Sequence, residues 1–199
     1  MIAAAHQTML APSALPYDAE VEYLESTGTQ WVDTGVHLDA SSEFSARLSV
    51  TASGTQFVFG VYANTNNQFA TAAASSGKWI FDCGRNRVSS SAAVQVGSII
   101  SMEAKNRTLY IDGASQGTSS ATPGLTVATA LLFGWDRTEL DGTKQGGKVR
   151  IYAASVTGTD GTRDFVPVRI GSTGYLFDRA SGTLFGNAGT GAFTIGTDK

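Results

Sequence analysis

Short segments in which apolar and polar residues alternate recur along most of this chain, and they constrain its fold more than any other feature. The clearest is Glu43–Val50, in which every second residue is apolar: Phe44, Ala46, Leu48 and Val50. Successive side chains of a strand point to opposite faces of a sheet, so this pattern predicts a strand with one buried face. Glycine-containing turns separate the segments, and the sequence therefore predicts an all-β fold of many short antiparallel strands.

Turn residues and chain ends predict how some of these segments are arranged. Residues 21–36 hold two segments on either side of a glycine turn, and we expect them to form the opening edge of a sandwich. Residues 98–104 and 108–112 flank a short polar turn and should pair as a hairpin. The last apolar segment, around Ile195, should pair within residues 20–31, because joining the chain ends removes exposed sheet edges. No helix is predicted after residue 16.

Two longer segments predict which side chains face the core. In Gln56–Tyr62 both sets of alternate positions are apolar, which predicts a strand covered on both faces, with Phe57 and Phe59 on the same face. In residues 148–156 the alternation predicts that Ala153 faces inward together with the apolar residues two and four positions before it.

Composition limits the classes of function. A length of 199 residues with 42% hydrophobic residues fits one domain of the larger all-β kind. A net charge of −3 with 14 Lys plus Arg provides no basic surface for nucleic acid, and no segment reaches the roughly 18 apolar residues of a membrane span. We therefore expect no nucleic-acid partner and no membrane insertion. The single cysteine, Cys83, is interpreted as a small buried side chain.

Residues 1–18 differ from the rest and are predicted to form an N-terminal tail before a sandwich that spans residues 19–199. No basic residue precedes Arg47, so the segment does not have the pattern of a secretory signal. We expect its apolar residues Ile2, Met9 and Leu10 to dock the domain onto a larger particle or into a homo-oligomer, the alternative being a frayed tail.

Glycan recognition needs an aromatic surface for the apolar face of a sugar and polar groups for its hydroxyls. The candidate aromatic residues, at predicted strand ends, are Tyr62, Trp79 and Trp135. The candidate polar residues, in adjacent loops, are Asn64, Asn67, Arg85 and Arg137. The alternative is that the two tryptophans belong to the sandwich core.

The sequence offers little for catalysis. Glu20, Glu22 and Glu25 form an acidic run, but a retaining glycosidase needs two carboxylates on one side of a cleft, about 5–5.5 Å apart. Glu20 and Glu22 would share a strand face, whereas Glu25 falls on the opposite one. His6 and His37 do not have the spacing of a metal site. We therefore expect no enzymatic activity.

Three stretches carry a resemblance to a known family: YLESTGTQWVDTGV at 23–36, RDFVPVR at 163–169 and GYLFDRASGTLFGNAGTGAF at 174–193. The chain resembles the concanavalin A-like or laminin G-like domains of bacterial surface proteins and of phage and prophage structural proteins. The resemblance implies a two-sheet antiparallel jelly-roll sandwich that serves as a binding or display module. Because such domains sometimes bind calcium through loop carboxylates, it also implies a structural calcium site at Asp136, Glu139 and Asp141. No other cofactor is expected.

Two hypotheses of function follow from the resemblance and the composition. The first is a noncatalytic display module of a virion, assembled in the host cytoplasm, with virion proteins or further copies of itself as partners and surface glycans as ligands. The second is a carbohydrate-binding or adhesion module of a bacterial surface protein. A jelly-roll glycoside hydrolase is a third and weaker reading.

Overall fold

The computed structural model describes residues 15–64, 66–74 and 76–199. It confirms an all-β sandwich of two sheets, in which the one parallel contact among the described strands joins β13 to β5. The strands are β1 (Ala19–Glu20), β2 (Leu24–Thr27), β3 (Val32–Asp33), β4 (Glu43–Val50), β5 (Gln56–Tyr62), β6 (Gln68–Ala73), β7 (Lys78–Cys83), β8 (Asn86–Ala93), β9 (Ile100–Lys105), β10 (Thr108–Ile111), β11 (Ala114–Thr118), β12 (Leu131–Leu132), β13 (Gly134–Arg137), β14 (Thr143–Gly146), β15 (Lys148–Gly158), β16 (Gly161–Ile170), β17 (Thr173–Asp178), β18 (Thr183–Phe185) and β19 (Thr194–Ile195).

Within the described residues, the larger sheet has 11 strands and the smaller has eight. The larger follows the order β11-β10-β9-β4-β15-β16-β17-β18, with β1 on β16, β2 on β15 and β19 on β2. The smaller follows the order β14-β13-β5-β6-β7-β8, and β12 joins β3 to β5. The predicted hairpin is confirmed as β9 and β10, which pair Ala104 with Leu109 and Met102 with Ile111.

Aromatic side chains fill the space between the two sheets. Phe44 of the larger sheet stacks on Phe59 of the smaller, with ring centroids 4.1 Å apart and an interplanar angle of 3°. Phe69 and Phe81 continue this cluster along the smaller sheet. Each fully buried ring of this kind stabilises the fold by about 1.5–3 kcal/mol. Cys83 lies in the same core, where burial raises the pKa of its thiol to about 11.

Two β-bulges shift the side chains from the faces that simple alternation predicts. In β5 the register shifts between Phe57 and Phe59, so Val58 and Phe59 both face the core and Phe57 faces outward. In β15 a shift between Ile151 and Ala153 leaves Ala153 exposed and buries the next alanine instead. The predictions for Phe57 and Ala153 were wrong because a bulge adds one residue and inverts the alternation beyond it.

The chain ends pair as expected, because β19 is antiparallel to β2 and aligns Ile195 with Leu24. The sandwich begins earlier than residue 19, however. The ring of Tyr17 packs 5.1 Å from that of Phe177, and the backbone N–H of Asp18 donates to the carbonyl of Arg169 at 2.9 Å. The tail residues Ile2, Met9 and Leu10 lie outside the described residues.

Residues 21–36 do not form one opening edge, because their two strands belong to different sheets and only β3, which among the described strands pairs with β12 alone, is an edge strand. Their first strand, β2, lies between β15 and β19 in the larger sheet, whereas β3 joins the smaller sheet, so this segment crosses the sandwich. One helical turn, α1 (Thr138–Asp141), interrupts the strands and ends at Gly142, whose N–H donates to Thr138 O at 3.0 Å. Within the described ranges, no helix is long and apolar enough to cross a membrane.

Candidate functional site

A second apolar cluster lies on the outer face of the smaller sheet, separated from the main core by the sheet itself. Its members are Ala70, Ala72, Ile80 and Trp135, with Phe57, Tyr62 and Ala74 packed against them. The cluster follows from alternation along β6, where Phe69 and Ala73 belong to the main core and the alanines between them face outward.

Three aromatic rings and a guanidinium form a continuous row on this face, which we call the aromatic ladder. The rings of Phe57 and Trp135 are 4.7 Å apart, and those of Trp135 and Tyr62 are 5.4 Å apart and nearly parallel, at 3°. The guanidinium carbon of Arg137 lies 5.5 Å from the Tyr62 ring centroid. The indole Nε1 of Trp135 donates to the carbonyl of Thr71 at 2.8 Å, which fixes the ring across the sheet.

An open groove of about 400 Å³ runs beside the aromatic ladder. It is lined by Thr55, Phe57, Tyr62, Ala74, Ile80, Arg87, Trp135, Arg137 and Leu140. We call it the aromatic groove. Leu140, on α1, is 43% exposed and forms an apolar lip. The groove therefore combines aromatic surface with two cationic side chains.

Arg87 is held at the groove by a bidentate ion pair with Asp82. Its Nε donates to Asp82 Oδ1 at 2.6 Å and its Nη2 donates to Asp82 Oδ2 at 2.7 Å. The Asp82 side chain is 2% exposed and that of Arg87 is 52% exposed, so the carboxylate is buried under the guanidinium. This hydrogen bond raises the pKa of Arg87, and the remaining N–H groups of the guanidinium are free to donate to a ligand.

Two further ion pairs hold the α1 turn, and with it Leu140, against the sheet. Arg137 Nη2 lies 2.8 Å from Asp141 Oδ2, and Lys144 Nζ lies 2.7 Å from Asp136 Oδ2. Burial acts to raise the pKa of Asp136, but hydrogen bonds from Lys144 and the Thr138 N–H hold it below its usual value. The pKa of Asp141 is also lowered, first by the hydroxyl of the nearby threonine at position 143.

The three carboxylates expected at a calcium site do not fit one. Asp136 and Asp141 are each already paired with a cation, Lys144 and Arg137 respectively, on oxygens that a metal would need. Among the residues that the structure describes, no three His, Cys, Asp or Glu side chains lie close enough together to hold a metal ion. Glu139 therefore does not join Asp136 and Asp141 in such a group. The donor set therefore differs from the oxygen cage that calcium requires.

The structure brings three of the predicted glycan-binding residues together and separates the others. Tyr62, Trp135 and Arg137 line the aromatic groove. Trp79 is 1% exposed in the main core, so for this tryptophan the core alternative is the right one. Its position on β7 alternates with Ile80, which faces outward.

The remaining polar candidates stabilise turns and do not line the groove. The side-chain oxygen of Asn64 accepts the backbone N–H of Asn67 at 3.1 Å, which closes the turn between β5 and β6. Arg85, in the turn between β7 and β8, donates to the side chain of Asn66. Both turns are polar because they must satisfy their own backbone groups.

Sequence reasoning found three of the nine residues that line the groove, and those it missed include Phe57, Arg87 and Leu140. Phe57 was placed on the same face as Phe59, because the bulge in β5 that separates them has no clear signal in the sequence. Arg87 lies on β8, whose serine-rich sequence gives a weak strand pattern, and Leu140 lies on a helical turn that was not predicted.

The acidic run lies on the other side of the molecule. Glu20 is paired with Arg179 at 2.9 Å and Glu25 with Arg150 at 2.6 Å, both on strands or turns of the larger sheet. These carboxylates therefore do not border the aromatic groove, which the smaller sheet carries.

No protein-family model matches the sequence, and no curated protein is found as a relative. Among solved structures, the fold is similar to that of a carbohydrate-binding protein, so named provisionally, from Bacteroides ovatus ATCC 8483, with a TM-score of 0.59 at 10% identity. The match covers 90% of this chain and 61% of that protein, so the chain spans less than two thirds of its length. A heptameric SAP-like pentraxin from Limulus polyphemus gives a TM-score of 0.48 at 11% identity, over 70% of this chain and 76% of that one. The first likeness shows that the two-sheet sandwich is a fold shared with other proteins.

Proposed function

We propose that this protein is a noncatalytic carbohydrate-binding module whose binding site is the aromatic groove. The observation that carries the proposal is an open groove of about 400 Å³ in which Tyr62 and Trp135 stand beside Arg87 and Arg137. A pyranose ring has an apolar face of C–H groups and a rim of hydroxyls, to which an aromatic surface and guanidinium N–H groups are complementary. The fold likeness to a provisionally named carbohydrate-binding protein supports the same function.

The absence of catalysis is part of the proposal. None of the described residues that line the groove is Asp or Glu. The carboxylates of Asp82 and Asp141 beside it are engaged by Arg87 and Arg137. Glycoside hydrolysis needs one carboxylic acid and one free carboxylate at the sugar. Incubation with the glycans that bind should therefore release no reducing ends, and any release that is lost on Glu22→Gln would contradict this.

The setting that we propose is the surface of a phage or prophage particle, to which virion proteins or further copies of the chain would attach the module. The support for this is the resemblance of residues 23–36, 163–169 and 174–193 to domains of such particles. Several tethered copies would convert weak glycan contacts into useful avidity. A bacterial surface protein is the alternative setting, and it would use the same groove.

Binding is tested on a glycan array with the fluorescently labelled protein. Tyr62→Ala removes the ring at the centre of the aromatic ladder, and we expect it to weaken binding by about tenfold or more, as for a central contact residue. The matched control is Tyr152→Ala, which removes a half-buried tyrosine from the larger sheet. Equal losses in both variants, or binding that survives Tyr62→Ala unchanged, would contradict the assignment of the groove.

The setting is tested by deleting residues 1–14, a boundary that keeps the contacts of Tyr17 and Asp18 with the sandwich. The melting temperature of the truncated domain should be nearly unchanged, whereas its incorporation into particles or its self-association should be lost. A truncated chain that still assembles normally would remove the support for a docking tail.

A further inference from the structure

We infer that the aromatic groove selects uncharged sugars and discriminates against acidic ones. This inference rests on the proposed carbohydrate-binding function and names the class of sugar that the site would take. The observation that carries it is the set of ion pairs around the groove, which neutralise the cations that an acidic sugar would need.

Arg87 cannot serve as a free cation, because its charge is compensated at close range. It forms two short hydrogen bonds with the buried carboxylate of Asp82, through Nε at 2.6 Å and Nη2 at 2.7 Å. This side-on geometry uses two of the five guanidinium N–H groups and leaves three that can donate to sugar oxygens. Arg87 therefore presents hydrogen-bond donors without net charge.

Arg137, the other cation that lines the groove, is compensated in the same way. Its Nη2 lies 2.8 Å from Asp141 Oδ2, and its Nη1 donates to the side-chain oxygen of Gln145 at 3.2 Å. Lys144, next to it on β14, is paired with Asp136 at 2.7 Å. Arg87, Arg137 and Lys144 therefore each have a carboxylate partner on the adjacent element.

These ion pairs make binding in the groove unfavourable for an acidic sugar and favourable for an uncharged one. A carboxylated or sulfated sugar would lose hydration on entering the groove, and it would find each guanidinium already neutralised by a carboxylate that repels it. An uncharged sugar would lose only hydroxyl hydration, which the free N–H groups replace, while its apolar face packs on the half-buried ring of Tyr62, which Trp135 supports from behind. Binding of the uncharged sugar should also depend little on salt, because no net charge is exchanged.

The first test compares matched polysaccharides. The uncharged probes are a β-1,4-glucan, a β-1,3-glucan, a galactan, a xylan and an α-mannan, and the acidic probes are polygalacturonate, alginate and hyaluronate. We expect binding to at least one uncharged probe, insensitive to salt, and binding that is at least about tenfold weaker to each acidic probe. Preferential, salt-dependent binding of an acidic probe would overturn the inference while leaving the proposed function in place. Binding to no probe would overturn both.

The second test releases one guanidinium at a time. Asp82→Asn keeps the shape of the side chain and frees the charge of Arg87, and we expect acidic probes to bind about tenfold more tightly than to the natural chain. Asp141→Asn frees Arg137 at a carboxylate that is 37% exposed, so folding is not at risk, and it should change the preference in the same direction.

The control for charge alone is Glu25→Gln, which frees Arg150 on the larger sheet and changes the net charge by the same amount. It should leave the preference for uncharged probes unchanged. If Glu25→Gln increases acidic binding as much as Asp82→Asn does, or if neither groove variant changes it, the inference is wrong. Melting temperatures of the three variants confirm that each one is folded.

Discussion

Both outer faces of this sandwich carry a buried apolar cluster, and the two clusters differ in what lies beside them. On the larger sheet, Val166, Val168 and Phe177 are covered by side chains of the chain itself, among them Tyr17 from the N-terminal segment. On the smaller sheet, the cluster around Trp135 borders a groove of about 400 Å³. The same alternation of residues produces both clusters, and side chains of the chain itself cover both, but the covering rings on the smaller sheet also line a groove.

The two faces also differ in how their charges are arranged. The larger sheet carries the cavities around Ser45, Ser101 and Glu103, with floors of small polar side chains, and an exposed Arg47 over the ring of Tyr152 at 5.1 Å. Arginines in ion pairs beside aromatic rings occur on both sheets, and on the larger sheet Arg150 pairs with Glu25 beside the ring of Tyr23. On the smaller sheet the ion pairs of Arg87 and Arg137 border the aromatic groove. Apolar surface that stays accessible beside fixed donors is typical of a ligand site.

The largest loss of stability is expected in the smaller sheet, at the close approach of β5 and β6. Gly60 lies on β5 between Phe57 and Tyr62 with φ +122°, and a Cβ atom there would lie 2.0 Å from the carbonyl oxygen of Phe69. Gly60→Ala should therefore lower the free energy of unfolding by about 4 kcal/mol, combining backbone strain of about 1–3 with a similar cost for displaced strands. Urea denaturation measures this.

The control for that prediction is Gly113→Ala, in a turn with φ +77° and no atom within 4 Å of the added Cβ. Only the backbone term applies there, so a loss of about 1–2 kcal/mol is expected. Equal losses at both glycines would show that the close approach of β5 and β6 is not what constrains the sheet.

The next largest loss of stability is expected when one aromatic residue is removed from each outer cluster in turn. Trp135→Ala should cost about 3–4 kcal/mol, because the indole is 4% exposed and its N–H bond to Thr71 is lost. Tyr17→Ala should cost less, about 1–2 kcal/mol, because Tyr17 is only half-buried at the end of the described chain. Glycan binding should be lost in the first variant and kept in the second. A Tyr17→Ala protein that no longer binds would break the comparison between the faces.

A smaller effect, with a defined pH dependence, is expected for Asp136→Asn. The pKa of Asp136 is lowered in the folded protein, so its contribution is fully present above the unfolded value and is lost as the pH falls through the folded value. The natural chain should exceed the variant in unfolding free energy by about 1–2 kcal/mol at pH 7, because the partner Lys144 is 35% exposed and solvent weakens the pair.

Chemical denaturation at pH values from 7 down to about 2 measures the difference in unfolding free energy between the natural chain and Asp136→Asn. It should stay constant at neutral pH and shrink once the pH falls below the ordinary range of an aspartate, near 3.8. A difference that grows on acidification has the opposite sign and would contradict the cause given for the lowered pKa.

The smallest effect is expected on the larger sheet. Arg47→Ala removes a cation over the ring of Tyr152 on an exposed surface, and we expect a loss of about 0.5–1 kcal/mol with no change in glycan binding. A thermal unfolding curve and the same array measure both. Lost glycan binding in this variant would indicate that the larger sheet takes part in recognition.

The sequence contained most of the fold and three of the nine residues that line the groove. Alternation located Glu43–Val50 and the hairpin of β9 and β10, because these strands have one buried face and a local turn. It failed at Phe57, since a bulge inverts the alternation without a signature residue, and that failure hid one end of the aromatic ladder. The pairing of Arg87 with Asp82 across the tight turn at Gly84 and Arg85 was also missed, because the serine-rich sequence of β8 gives a weak strand pattern.

The two tryptophans show the same limit. Trp79 and Trp135 both stand on short strands that mix apolar and polar residues, KWIFDC and GWDR. One is in the main core and the other in the outer cluster because β7 and β13 present opposite faces at these positions. Only the tertiary arrangement decides between the two, since burial of a strand residue depends on the sheet that covers it.

The central claim, that the groove on the smaller sheet binds glycans, is tested most directly by nuclear magnetic resonance. An oligosaccharide of the uncharged probe that binds best is titrated into ¹⁵N-labelled protein, with the indole N–H signal of Trp135 assigned through the Trp135→Phe variant. We predict that this signal and the backbone amides of β5 and β13 shift in a saturable manner, while those around Tyr152 on the larger sheet do not. Saturable shifts confined to the larger sheet, or to the turns that contain Asn64 and Arg85, would contradict the claim.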